Sequence, residues 1–275
     1  MIVLGGSSRQ ALAALRIALD EQLKGASSAE CTALSTDLFK ALAALSSSVS
    51  LRRAMTDPAR DHASKSALIG DLFSSEIGTK ALSLLVSAAS YRWSSSGEIA
   101  DALEQIAVEA EATAANQESS LDRVEEELFL FSRLLVTHND LRLALNDRAD
   151  SLERKRALID NIFASKVSPS TVRLLEAIVS GTRGRSIEAA LAAFTHAVSA
   201  RRDRLVAIVR SVIALTPAQS EKLSSALTKQ VGQPVHINTE IDPSVLGGIE
   251  VRFADEIIDG TISNRLAEAS RALAV

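Results

Sequence analysis

The chain has 275 residues, of which 47% are hydrophobic, and a formal net charge of −4. This length and apolar content allow one to three buried cores and exclude an intrinsically disordered protein. The charges are scattered and aromatic residues make up only 3% of the chain, so no nucleic-acid-binding surface is predicted.

Cysteine content and hydropathy exclude two further classes of protein. A single cysteine, Cys31, excludes a disulfide framework and a cysteine-based metal site. No apolar run approaches the roughly 18 residues that a membrane-spanning helix needs. We therefore predict no direct membrane insertion, and any membrane association would go through protein partners.

Leucines at helical spacing dominate the first third of the chain. Apolar residues three and four positions apart predict amphipathic helices. The predicted helices cover residues 8–24, 29–46, 49–55, 59–74 and 77–92. Asp57, which precedes a proline, is the predicted N-cap of the fourth helix, and Asp147 is the predicted cap of an equivalent helix later in the chain.

The middle of the chain continues this helical pattern after a serine-rich linker. Helices are predicted over 98–117, 119–137 and 186–203, and Ser168-Pro169 is a typical start of another. The helix over 98–117 could close a first bundle and open a second. Tandem and nested arrangements of the two bundles therefore both remain open.

An internal repeat supports the presence of two bundles. Residues 51–90 and 141–180 share fourteen identities in forty positions without a gap. A chain of this composition would give about four by chance. We interpret the repeat as a duplicated helical module.

From about residue 204 the pattern becomes that of a small α+β domain. β-branched residues predict strands near 205–215 and 235–241, with a helix between them that starts at Thr216-Pro217 and ends at Val231. Alternating residues over 249–253, followed by a second short strand ending at Asp259-Gly260, predict a β-hairpin. Ser263 is the predicted cap of a final helix.

No catalytic constellation or cofactor site is predicted. The four histidines are isolated in the sequence, so no zinc motif is formed. The loop over 181–186 lacks the spacing of a phosphate-binding loop. Three carboxylates near the hairpin, Asp255, Glu256 and Asp259, fit turn structure better than acid–base chemistry. The acidic run over 125–127 is interpreted as a solvated helix face.

The C-terminal segment over 242–266 carries an ordered set of glycines, acidic residues and apolar residues. Its signature residues are Asp242, Pro243, Gly247, Gly248, Arg252, Asp259, Gly260 and Arg265. This segment resembles the signature of the delta subunit family of F-type ATP synthases, and the resemblance covers roughly residues 96–275. The duplicated bundle departs from the usual single bundle and is similar to that of the long actinobacterial members.

The resemblance implies a mostly α protein with a small α+β C-terminal domain. The implied domains are a first bundle over 1–96, a second over 97–203 and the C-terminal domain over 204–275. The implied function is that of a non-catalytic stator subunit without a cofactor, on the cytoplasmic side of the cell membrane. Its implied partners are the N-terminal helices of the alpha subunits, which a bundle would grip, and the b subunit, which the C-terminal domain would meet.

Which of the two bundles docks the alpha subunit stays open, but the second adjoins the C-terminal domain as the family's bundle does. The candidate docking residues are Leu174, Leu175 and Ile178. The alternative interpretation is a helical scaffold for other partners.

Overall fold

The computed structural model describes residues 4–147, 149–231, 235–242, 245, 248–253 and 256–259. Their contacts divide the chain into two compact units, Met1–Ser199 and Ala200–Val275. The first unit is helical and the second is a small α+β unit. The predicted fold class, mostly α with an α+β C-terminal part, is confirmed.

The helices of the first unit follow one another with short connections. They are α1 Gly6–Leu23, α2 Ser28–Ser47, α3 Val49–Thr56, α4 His62–Phe73, α5 Thr79–Ser90, α6 Glu98–Gln117, α7 Leu121–Thr137, α8 Asn139–Asn146, α9 Leu152–Phe163, α10 Pro169–Ser180 and α11 Ile187–Leu205. We call α2–α5 the first copy and α7–α10 the second copy. The bounds of α8, α9 and α10 each lie 90 positions after those of α3, α4 and α5. The duplication inferred from the sequence is therefore also a duplication of structure.

The helix caps of the two copies correct one prediction. Asp57 and Asp147 do not cap α4 and α9, because each lies at the end of the preceding helix and accepts a hydrogen bond from a backbone nitrogen two residues later, at 2.9 Å. The N-caps are instead Asp61 and Ser151, whose side chains accept from the backbone of the first helical turn. The predicted start at Ser168-Pro169 is confirmed, since Ser168 caps α10.

Helix α6 lies at the centre of the first unit. Its buried residues occur all round the helix, as expected for a helix enclosed by others. It contacts α1, α2 and α3 and also α7 and α10. Several apolar residues of α6, among them Ile99, Leu103 and Ile106, belong to the same core cluster as the leucines of α1 and α2. The boundary at 96/97 between two bundles stays a prediction.

The second unit is built on a four-stranded sheet. Its elements are β1 Val206–Ser211, α12 Pro217–Val231, β2 His236–Ile241, β3 Ile249–Phe253 and β4 Glu256–Asp259. The strand order is β2-β1-β3-β4, with β1 and β2 parallel and the β3–β4 hairpin antiparallel. The predicted strands, hairpin and α12 are confirmed, while the predicted final helix from Ser263 lies outside the described residues.

One face of this sheet carries the core of the second unit. Alternate residues of β1, Ala207 and Val209, are buried with Val251 of β3 and Leu227 of α12. Arg210, which follows Val209 in β1, points to the other face and pairs across both neighbouring strands, with Glu240 at 3.1 Å and with Glu250 at 3.6 Å. The period-2 alternation of the sequence therefore sorts apolar and charged residues to opposite faces.

Candidate docking groove

A groove with an apolar floor runs between α7, α9 and α10 of the second copy. Its volume is about 460 Å³. Its apolar lining residues are Leu130, Phe131, Leu134, Phe163, Val167 and Leu175. The rings of Phe131 and Phe163 meet edge to face with centroids 5.3 Å apart, a favourable arrangement for aromatic pairs. These two rings fix the spacing between α7 and α9 and thus the width of the groove.

The rim of the groove is charged. It is formed by Arg123, Glu126, Glu127 and Lys166. Glu127 accepts hydrogen bonds from the Ser168 backbone nitrogen at 2.9 Å, from Thr171 Oγ1 at 2.7 Å and from Arg123 Nε at 2.7 Å. Burial alone would raise the pKa of Glu127, but these bonds outweigh it and lower the pKa. Glu127 is therefore not part of a solvated face, which corrects the prediction for this residue, whereas Glu126 is exposed as expected.

The α7 side of this groove differs between the two copies. At the positions 90 residues earlier, the first copy has Lys40, Ala41 and Ala44 where the second has Leu130, Phe131 and Leu134. The side chain of Leu130 is 55% exposed. A large exposed leucine facing an apolar groove is typical of a surface that binds a partner. The two copies thus share a scaffold and differ in surface.

A second apolar difference lies beside the groove on α7. In the first copy Phe39 is covered by Phe194 of α11, with stacked rings 5.9 Å apart. The equivalent residue of the second copy, Phe129, is 56% exposed. Together with Leu130 it extends the apolar surface of the groove along α7.

The predicted docking residues lie on α10, next to this groove. Leu174, Leu175 and Ile178 are all buried, with at most 1% of each exposed. Leu175 lines the groove floor, whereas Leu174 and Ile178 are not among its lining residues. The assignment of these three residues to alpha-subunit docking stays a prediction.

The signature residues of the second unit are described only in part. The backbone nitrogen of Asp242 donates to Ser211 O at 2.9 Å, which joins the end of β2 to the end of β1. Gly248 has φ +84°, a conformation that favours glycine. Arg252 is exposed on β3, and Asp259 pairs with Glu250 through the β3–β4 ladder. Pro243, Gly247, Gly260 and Arg265 lie outside the described residues.

Buried ion pairs fix α6 to its neighbours, a feature that the sequence reasoning missed. Glu109 pairs with Arg16 of α1 at 2.6 Å and Glu111 with Arg173 of α10 at 2.6 Å. Glu104 pairs with two arginines of the α10–α11 loop, Arg183 at 2.8 Å and Arg185 at 2.7 Å. The sequence did contain a signal for these pairs. The glutamates of α6 lie among alanines on several faces of the helix, so some of them had to be buried, and buried glutamates need cationic partners.

Two searches bear on other kinds of site. In the described parts of the chain, no helix combines the length and apolarity that crossing a bilayer requires. Within the same residues, no group of three or more histidine, cysteine, aspartate or glutamate side chains is placed to hold a metal ion.

Comparison with known proteins identifies relatives along nearly the whole chain. The family described as ATP synthase delta (OSCP) subunit matches residues 108–273. ATP synthase subunit delta of Streptomyces coelicolor is 40% identical over 269 residues, with 98% of each chain covered. The Streptomyces griseus subunit delta is 40% identical over 271 residues, with 98% of this chain and all of the relative covered.

One solved structure also matches part of the chain. It is a chain of the Toxoplasma gondii mitochondrial ATP synthase hexamer, 18% identical over 61% of this chain and 97% of that chain, with a TM-score of 0.30. A score this low supports no argument about the fold. The family assignment therefore depends on the family match and on the Streptomyces relatives.

Proposed function

This chain belongs to the ATP synthase delta (OSCP) subunit family, and we propose that the groove of its second copy docks the N-terminal helix of an alpha subunit. Membership makes the chain a non-catalytic component of the peripheral stalk, the stator of the rotary ATP synthase. A stator subunit performs no reaction chemistry. Its physical task is to hold its partners against the torque of the rotor, which calls for large, slowly dissociating contacts.

The observation that carries the proposal is the apolar groove of the second copy, whose α7 lining residues Leu130, Phe131 and Leu134 replace Lys40, Ala41 and Ala44 of the first copy. An amphipathic helix can place residues at positions i, i+3, i+4 and i+7 along such a groove. Phe131, Phe163 and Leu175 form its floor, and Leu130 offers an exposed apolar edge. The rim carries Lys166 and Glu126 beside the Arg123–Glu127 pair, so it can pair with charges of either sign on a helix and fix its register.

The test reproduces the first copy's residues in the second copy. The double variant Leu130→Lys with Leu134→Ala introduces the side chains that Lys40 and Ala44 provide in the first copy. We expect it to fold and to bind a delta-depleted catalytic head at least about tenfold more weakly, because the lysine places a charge in an apolar contact. Binding is measured by co-migration in size-exclusion chromatography and by titration with an alpha N-terminal peptide.

The control is Ile17→Lys, which changes a residue on α1 that is 65% exposed and does not line the groove. It should bind as the unmodified chain does. If the groove variant binds the head normally while circular dichroism shows it folded, the alpha subunit docks elsewhere and this proposal fails.

For the second unit, the proposed partner is the b subunit. Ile213, just after β1, and Ile241, the last residue of β2, are 74% and 61% exposed. The parallel register brings these two strand ends together, since Ser211 is paired with Ile241. Exposed isoleucines at one end of a sheet provide an apolar contact for a helix of b.

Substitution at this sheet end tests the b-subunit contact. Ile213→Lys should weaken binding of a soluble b fragment, whereas Leu130→Lys should leave it unchanged. Equal b binding by both variants would overturn this assignment. With both contacts in place, the subunit would lie peripherally, on the cytoplasmic side of the cell membrane.

A further inference from the structure

We propose that the first copy carries a binding site for a phosphate group, in a cationic cavity where α3 ends, α4 begins and α5 ends. The cavity has a volume of about 380 Å³, large enough for an oxyanion with several waters. Its charged and aromatic lining residues are Arg60, His62, Lys65, Tyr91, Arg92 and Trp93. Among the described residues, none that lines this cavity carries a carboxylate.

The basic side chains of this cavity differ in what they already contact. Lys65 is buried and its Nζ donates to the carbonyl oxygen of Ala89 at 3.0 Å, so it closes the end of α5 as well as facing the cavity. The side chains of Arg60, His62 and Arg92 have no ion pair or hydrogen bond to any residue that the structure describes. Two guanidinium groups with unused donors can both bind one oxyanion through charge-assisted hydrogen bonds.

The nearby carboxylates already accept hydrogen bonds from neighbouring residues of their own segment. Asp61 caps α4 and accepts from the nitrogen and the hydroxyl of Ser64, both at 2.8 Å. Asp57 accepts from the nitrogen of Ala59 at 2.9 Å. Neither lines the cavity. The cavity is therefore positively charged in a chain whose formal net charge is −4.

The second copy provides an internal comparison. A cavity of about 400 Å³ occurs at the equivalent place and is lined by Lys155, the counterpart of Lys65. There, however, the counterparts of Arg60, His62 and Arg92 are Asp150, Leu152 and Thr182. The shared lysine is explained by the scaffold, but Arg60, Arg92 and His62 are not. The second cavity is also lined by Arg185, but that arginine is already paired with Glu104 at 2.7 Å.

Trp93, which lines the cavity, supplies a readout for binding. Trp93 is the chain's single tryptophan, and its Nε1 donates to Ala88 O at 2.8 Å, which holds the ring at the cavity wall. Binding of an anion next to Arg92 changes the polarity around this ring. The tryptophan fluorescence of the whole protein therefore comes from a single residue at the cavity wall.

A phosphate group could come from a soluble ion or from a lipid headgroup, and two titrations of the full chain separate these sources. The first uses inorganic phosphate, with sodium chloride at matched ionic strength as the reference. The second uses phosphatidylcholine vesicles with or without phosphatidate. A saturable change in Trp93 fluorescence with phosphate beyond the chloride reference supports a site for the free ion. A change only with phosphatidate vesicles supports the site with a lipid source.

Variants decide whether the cavity is responsible. The double variant Arg60→Gln with Arg92→Gln should weaken binding at least about tenfold, because each arginine contributes charge-assisted hydrogen bonds. Both residues are exposed, so the fold should survive, as circular dichroism can verify. The control Arg154→Gln removes an arginine that is 82% exposed in the second copy and should leave binding unchanged. The proposal is overturned if neither titration saturates, or if the double variant and the control bind alike.

Discussion

At the scale of single residues, two glutamates of the second copy experience opposite environments. Glu127 is held by donors from Thr171 and Ser168, which lower its pKa below the ordinary value of 4.5 in spite of its burial. For Glu176, burial raises the pKa and the neighbouring carboxyl of Asp160 raises it further, against the effect of Arg156. Folding therefore favours the charged form of Glu127 and disfavours that of Glu176.

These shifts predict opposite pH dependences for two matched variants. A lowered pKa in the folded state stabilises the fold above the unfolded value of 4.5, and this contribution disappears as the pH falls through the lowered pKa. Glu127→Gln should thus be less stable than the unmodified chain at pH 7, with a difference that shrinks in acid.

For Glu176→Gln the sign is reversed. A raised folded-state pKa costs stability above the folded value, and this cost is absent below the ordinary value of 4.5. The variant should be more stable than the unmodified chain at pH 7, with a gain that vanishes in acid. Urea unfolding of both variants between pH 3.5 and pH 7, a range of roughly one unit below to several above the ordinary pKa, measures both effects. Parallel curves for the two would contradict the environments described here.

At the scale of secondary-structure elements, α6 determines how the first unit holds together. Its glutamates pair with arginines of α1, α10 and the α10–α11 loop, while its alanines allow close approach of the surrounding helices. Buried pairs add little net stability relative to an apolar replacement, but breaking one leaves an uncompensated buried charge. They therefore act mainly to fix one arrangement of α6 among its neighbours.

Removing Glu104 tests this role. Glu104→Gln leaves Arg185 and Arg183 with a neutral amide in place of their shared carboxylate, although Arg183 keeps Asp101 at 2.6 Å. We expect a loss of about 3–5 kcal/mol in the free energy of unfolding. The surface variant Arg154→Gln, which breaks a pair at 3.5 Å, should lose less than about 1 kcal/mol. Similar losses in both would mean that the Glu104 cluster is effectively solvated.

Elements and repeats were predictable from the sequence because they depend on local periodicity. The helix over 98–117 and the repeat offset of 90 both match the structure, and the strand β4 ends at Asp259 as expected. Helix caps were less predictable, because both Asp57 and Asp61 are residues that can cap the N-terminus of α4. Which of them does so depends on where the backbone enters the helix. The groove depends on side chains from three helices. The sequence gives one local indication of the groove, the leucine at position 130 where the first copy has Lys40. This difference is apparent only when the two copies are aligned.

At the scale of the whole molecule, the two copies share buried core residues and differ in their surfaces. Both copies keep the residues that build the scaffold, including Ile69 and Ile159, Phe73 and Phe163, which are all buried. Their surfaces then differ, with an apolar groove in one copy and a cationic cavity in the other. A duplicated bundle thereby gives a stator subunit two chemically different faces on one helical framework.

The helical framework depends on α6, and truncated fragments would test whether the core formed by α1 to α5 requires this helix. The core of the first copy includes Ile99, Leu103 and Ile106 of α6 together with leucines of α1 and α2. A fragment that ends at residue 96, the predicted end of the first bundle, lacks this helix and exposes the leucines that it covers. We expect that fragment to unfold without a cooperative transition, because the apolar area lost is that of a whole central helix.

A fragment over residues 1–117 retains α6 and should unfold cooperatively, although the side of α6 that contacts α7 and α10 is then uncovered. Thermal unfolding followed by circular dichroism and amide hydrogen exchange distinguishes the two fragments. Cooperative unfolding of the 1–96 fragment would establish an independent first bundle. Failure of both fragments would instead make α6 and the second copy necessary for the first, and the helical part would then fold as one unit through residue 199, where the compact helical unit ends.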